Sequence, residues 1–122
     1  MGTILIVDDS RTMRKVLAAS LKEAGHYIIG NAGNGQEALD LLKNLSPDLP
    51  DLITLDITMP EMDGIETLKR IRAEYPGQKV VMVSAAGQKD KIMEALKFGA
   101  VDFIKKPYDP DEAMETFKKI LG

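Results

Sequence analysis

The chain has 122 residues, 44% hydrophobic and 29% charged, with a net charge of −3 and no cysteine. This length fits one domain, expected over residues 1–122, and the missing cysteine excludes a disulfide framework or a thiolate metal site. The acidic balance argues against a nucleic-acid partner, and with no signal-peptide or membrane-length apolar segment a cytoplasmic protein without membrane contact is expected.

In chain order, an apolar run at 4–7 predicts a first strand, and it stops at two adjacent carboxylates, Asp8 and Asp9. The stripe Met13, Val16, Leu17, Leu21 and Ala24 predicts a helix that Gly25 should end. His26 reads as an ordinary surface residue. A short strand at 27–29 suits a sheet edge. The glycine-rich loop "GNAGNG" at 30–35 fits neither a dinucleotide fingerprint nor a P-loop and reads as a turn plus helix cap, since Asn34 and Glu37 have capping-box spacing. Ala38, Leu41, Leu42 and Leu45 mark the second helix. A strand at 52–55, a helix carrying Ile65, Leu68 and Ile71, and a strand at 80–83 follow. Ile92, Ala95 and Leu96 mark a fourth helix, stopped at Gly99, and 101–104 a fifth strand. Asp109, Pro110 and Glu112 then start a helix bearing Ala113, Met114, Phe117, Ile120 and Leu121. Apolar runs that are barely interrupted suit strands covered on both faces. Five alternations with connections too long for hairpins imply parallel strands and right-handed crossovers: an α/β fold, a three-layer (βα)5 sandwich.

In an open parallel sheet the ligand site lies beyond the carboxyl ends of the strands, where neighbouring connections diverge. The chain places Asp8 and Asp9 at the end of strand one, Asp56 at strand three, Ser84 at strand four and Lys106 at strand five. With strands one and three adjacent, three acids share a crevice, and two charges about 5 Å apart repel by roughly 3 kcal/mol at an effective dielectric of about 20. Such a cluster calls for a cation. Oxygen ligands without His or Cys favour a hard ion, Mg²⁺ with Mn²⁺ as a substitute, and open positions on that ion suit phosphate oxygens. Lys106 could neutralise a phosphoryl oxygen, Ser84 could donate to one, and Asp56 could attack phosphorus to give an aspartyl phosphate. Each residue alone reads as a turn, a cap or a solvated charge; their joint placement does not.

The stretches "ILIVDDS" (4–10), "LDITMPEMDG" (55–64), "VSAAG" (83–87) and "GAVDFIKKPY" (99–108) resemble response-regulator receiver domains, in particular stand-alone CheY-type regulators of bacterial chemotaxis. The strand order 2-1-3-4-5 comes with this resemblance, CheY being a standard example of that order. The resemblance implies Asp56 as phosphoryl acceptor from a histidine kinase, with Mg²⁺ held by Asp9, Asp56 and the Thr58 carbonyl directly and by Asp8 through water. It implies a phosphoryl group met by Ser84, Lys106 and the N–H groups of Thr58 and Ala85, and a cis bond before Pro107. The Ser84 hydroxyl would move towards the phosphoryl group and let Phe103 turn inward, which alters the face of helix four, strand five and helix five. Many relatives carry Tyr where this chain has Phe103, and Ser84 replaces a more common Thr. Thr58 and Ala86 occupy positions that tune acyl-phosphate hydrolysis, and Ala86 has no side chain to orient water, so unusually fast self-dephosphorylation is not expected.

A haloacid-dehalogenase-class phosphatase also uses a strand-ending Asp, but it resembles D-x-D, and the second place here is Thr58. A flavodoxin-like carrier would set three acids against a flavin phosphate, and a degenerate receiver would lack one of the five site residues. The expected protein is a phosphoacceptor and not an enzyme on other substrates, a monomer whose target is a separate protein such as a flagellar motor switch component. A receiver cut from a longer transcriptional regulator is the alternative. Lysines at 89, 91, 97, 105, 118 and 119 suit an acidic target, and Met59 and Met62 beside the site could join a partner surface.

Overall fold

The structure, a computed structural model, describes residues 2–121. Ten elements alternate: β1 (Thr3–Val7), α1 (Arg11–Glu23), β2 (Tyr27–Ala32), α2 (Gly35–Leu45), β3 (Leu52–Asp56), α3 (Gly64–Glu74), β4 (Val80–Ser84), α4 (Lys89–Lys97), β5 (Asp102–Lys105) and α5 (Pro110–Leu121). All strand pairs are parallel, in the order β2-β1-β3-β4-β5. The two-residue period of a strand sorts the apolar residues onto two faces. Ile4, Ile6, Leu52, Val81 and Val83 pack with Leu17 and Leu21 of α1 and Phe117 of α5. Leu5, Val7, Ile53, Leu55 and Met82 pack with Leu42 of α2, Leu68 and Ile71 of α3 and Ala95 of α4. Hence the three layers: each fully buried Leu or Ile contributes about 1.5–3 kcal/mol, and neither face of the sheet is left to water.

Side-chain oxygens fix where most helices begin. Ser10 accepts from the Met13 N–H (3.2 Å), Asn34 from Glu37 (2.8 Å), Asp63 from Glu66 (2.9 Å) and Asp109 from Asp111 (3.1 Å). Helix α4 differs: Gln88 precedes it and makes no capping bond. Gly25 and Gly99, with φ of 95° and 100°, turn the chain out of α1 and α4 in a conformation other residues avoid.

Some sequence expectations need correction. Val16 and Leu96 are 45% and 38% exposed, and Ala24 is exposed too. Each of the first two adjoins a buried residue, Leu17 or Ala95, and a step of about 100° around a helix carries it off a stripe narrower than the sequence suggested. β2 runs on to Ala32, so half of the glycine-rich loop is strand. Val101 lies outside β5, whose pairing with β4 starts at Asp102, and it is 45% exposed. His26 is half-buried, its Nδ1 accepts from the Gly2 N–H at 3.2 Å, and burial lowers its pKa, so it is not a simple surface residue.

At the amino-terminal rim of the sheet the polar groups are paired. Buried Gln78 donates from Nε2 to the carbonyls of Pro50 (3.0 Å) and Lys79 (3.1 Å), and Arg72 donates to the carbonyl of Pro76. Among the described residues no helix is long and apolar enough to cross a membrane.

Candidate phosphoacceptor site

The opposite rim gathers the strand-ending polar residues. The ladder holds them in place: the Asp8 N–H donates to Ala32, Ile57 to Val83 and Lys106 to Ser84, each at 2.7–3.0 Å. Gly64, first in α3, lies against the Asp56 carbonyl and Cα of Ile57, where a Cβ would overlap both, and its N–H donates to the Ile57 carbonyl at 2.7 Å. Only glycine lets α3 start so near the end of β3. Arg14 reaches back from α1 and donates to the Asp8 carbonyl (2.6 Å) and to Oδ1 of Asn31 (3.2 Å), tying β1 to β2 at their ends.

Asp8, Asp9 and Asp56 each offer a carboxylate oxygen within 4.8 Å of the other two. Asp8 and Asp56 are buried, 2% and 4% exposed, while Asp9 faces solvent. The Lys106 amine lies 2.8 Å from Oδ2 of Asp8 and 3.1 Å from Oδ2 of Asp56. Oδ2 of Asp8 is buried, and the Lys106 amine is its close ion-pair partner. The Asp56 pKa is pushed up from 3.8 to about 6, by burial first and then by the Asp8 charge, against the pull of Lys106 and of the Thr58 N–H, which donates to Oδ1 at 3.3 Å. Burial also works against the Lys106 charge, but the two carboxylates outweigh it and its pKa is raised. Tyr108, largely buried next to these acids, keeps its phenol proton for the same two reasons, burial and nearby negative charge.

Three carboxylate oxygens this close together fit a hard divalent ion, and Lys106 supplies only one positive charge against three negative ones. Beside them Ser84 is wholly buried and its Oγ has no hydrogen-bond partner. An unpaired buried hydroxyl costs about 1–3 kcal/mol, a cost that a ligand able to accept from it would relieve. The sheet pleat sets Ser84 on the same face as Phe103, and both line an apolar groove with Ile92, Met93 and Leu96 of α4. The bond before Pro107 is cis. Ala85 is exposed, and its N–H is engaged by Oε1 of Gln88 at 2.7 Å.

The model of the response regulator receiver domain matches residues 4–118. The chain belongs to that family. Among curated relatives it is 44% identical to chemotaxis protein CheY of Thermotoga maritima, over 96% of this chain and 95% of the relative. It is 40% identical to protein CcdB of Bacillus subtilis, over 100% and 99%. Among solved structures it superposes with a TM-score of 0.92 and 38% identity on CheY from the CheX–CheY–BeF3–Mg²⁺ complex of Borrelia burgdorferi, covering 98% of this chain and 89% of that one. The chain is thus a CheY-like receiver, and its flavodoxin-like order β2-β1-β3-β4-β5 is the one the resemblance implied.

Receiver residues that sequence reading named, Asp8, Asp9, Asp56, Thr58, Ser84 and Lys106, lie around one crevice, with Phe103 in the adjoining groove. Two that border the crevice were missed. Arg14 looks like any exposed helix cation in a one-dimensional reading, and Gln88 meets Thr58 across thirty positions of sequence.

Proposed function

We propose that this receiver is a phosphorylation-activated switch of a two-component system: Asp56 takes a phosphoryl group from a histidine kinase, and the face of α4, β5 and α5 then engages a separate target protein. The observation that carries this reading is the meeting of three carboxylates with one lysine amine beside an unpartnered buried hydroxyl. Ionised Asp56 attacks phosphorus in line, the new O–P bond replaces the P–N bond to the kinase histidine, and the imidazole leaves with its electron pair and takes up a proton. Lys106 and the Ser84 hydroxyl then meet the phosphoryl oxygens. Asp8, Asp9, Asp56 and the Thr58 carbonyl would hold Mg²⁺, whose chemistry there is neutralisation of charge between acids and phosphoryl oxygens. Ser84 opens the groove that it shares with Phe103, which supports an output through that face. Exposed Met93 and Val101 and the lysines of α4 and α5 suit a partner with an apolar centre and an acidic rim.

Chemotaxis is the output we infer, from relatives that bear the name chemotaxis protein at similarity over nearly the full chain. CheX, which shares a complex with the Borrelia relative, shows what class of partner to try besides a flagellar motor switch component. Intact-protein mass spectrometry after mixing with acetyl phosphate and Mg²⁺ tests the acceptor. One added phosphoryl group is expected on the parent and none on Asp56→Asn or in chelator; an unchanged parent mass would refute the reading.

A further inference from the structure

Gln88 borders the crevice from the loop before α4. It stands where α4 needs a cap and makes no capping bond. Its carboxamide bridges two loops instead: Oε1 accepts from the Ala85 N–H at 2.7 Å, and Nε2 donates to the Thr58 hydroxyl. The orientation of the amide follows from the donor it meets, since a backbone N–H requires the oxygen. Thr58 donates through its own N–H to Oδ1 of Asp56 (3.3 Å), and Ala85 directly follows the unpartnered Ser84. The bridge therefore joins the loop after β3 to the loop after β4 beside the acceptor carboxylate. Both of its bonds are exposed to solvent, which makes them weak enough to exchange for others.

We propose that the Gln88 carboxamide is a displaceable occupant of the phosphoryl-binding N–H of Ala85, so that Gln88 sets how readily Asp56 is modified. This rests on the phosphoacceptor reading above. A phosphoryl oxygen on Asp56 and Oε1 of Gln88 compete for one donor, and the incoming oxyanion wins because hydrogen bonds to a charged acceptor are about twice as strong as neutral ones. Gln88 acts through Ala85 and is a positioning residue; it forms no bond to the reacting atoms. Its release also frees the start of α4 from the Thr58 loop, which links modification to the element that borders the Phe103 groove.

The test uses beryllofluoride, a phosphoryl mimic, titrated in Mg²⁺ and read by ¹⁹F NMR on the whole chain. Removing one exposed neutral competitor should tighten binding by about 3–10-fold in Gln88→Ala. Gln88→Met, close in length and without polar atoms, should give the same gain. Gln88→Glu, which keeps an acceptor on the Ala85 N–H and adds negative charge, should bind more weakly than the parent. Mg²⁺ affinity without beryllofluoride should be the same for Gln88→Ala, Gln88→Met and the parent, a result that loop disruption would not give. If the parent binds beryllofluoride and neither apolar variant binds it more tightly, this inference is overturned and the acceptor reading stands. If the parent binds none at all, both fall.

Discussion

Replacing Asp56 with Asn should make the metal-free protein more stable, although it removes a residue that makes two polar contacts. Asp56 titrates at about 6 against an ordinary 3.8, and at about 1.36 kcal/mol per pH unit its ionised form costs the fold about 3 kcal/mol at neutral pH. Loss of the Lys106 ion pair is already contained in that balance, and Lys106 keeps Asp8 at 2.8 Å. Asn turns one donor towards the amine, so a net gain of about 2 kcal/mol is expected, equivalent to a melting rise of about 6–10 °C for a domain of this size. The sign with pH follows from linkage. A raised carboxyl pKa favours the folded parent fully below about pH 4, and that advantage is lost as pH rises through about 6. The excess stability of Asp56→Asn should therefore be near zero at pH 4, grow between 4 and 6.5, and level off above. Urea denaturation followed by circular dichroism in chelator, parent beside variant at each pH, measures the difference while cancelling the other carboxylates. An Asn variant no more stable than the parent at pH 7.5, or a difference that ignores pH, would refute the electrostatic account.

Addition of Mg²⁺ in the millimolar range should raise the parent's melting temperature by several degrees, following the ratio of free ion to its dissociation constant. Asp9→Ala should melt higher than the parent in chelator and lose that response; a parent that ignores Mg²⁺ would count against the cation site. Ser84→Ala removes an unpartnered buried oxygen, so it should gain about 1 kcal/mol in denaturant while the phosphorylated fraction at steady state falls several-fold. Equal phosphorylation of parent and Ser84→Ala would show that the hydroxyl does not meet the phosphoryl group. Gly64→Ala should cost more than 2 kcal/mol, about the scale of a clash with backbone that cannot move aside, and its melting curve checks this.

Much of this was readable in one dimension because burial and chemistry were written in the same places. Strands covered on both faces show as unbroken apolar runs, so β1, β3 and β4 were placed to within a residue, and the acids, the serine and the lysine stood at strand ends where the backbone leaves the sheet. Caps at Asn34 and Asp109 were legible because a short polar side chain answers an N–H only two or three residues ahead. What escaped depended on distance along the chain. The width of a buried helix stripe is set by the partner surface, so Val16 and Leu96 could not be told from their neighbours. The order 2-1-3-4-5 already put β5 at an edge, but no pattern within 101–105 says that the strand starts at Asp102 and leaves Val101 outside. Gln88 and Arg14 act at the ends of long, flexible side chains across loops, and His26 is half-covered by the start of the chain.

The paired amides and carbonyls around Gln78 and the crowded acids around Asp56 sit at opposite ends of the same five strands. One rim behaves as a keel and the other as a workbench. The keel and the apolar layers specify where each strand ends, independently of the side chains at the workbench. A protein engineer who needs a sturdier version should therefore work around Pro50, Arg72 and Gln78, where added strength need not disturb the acidic crevice.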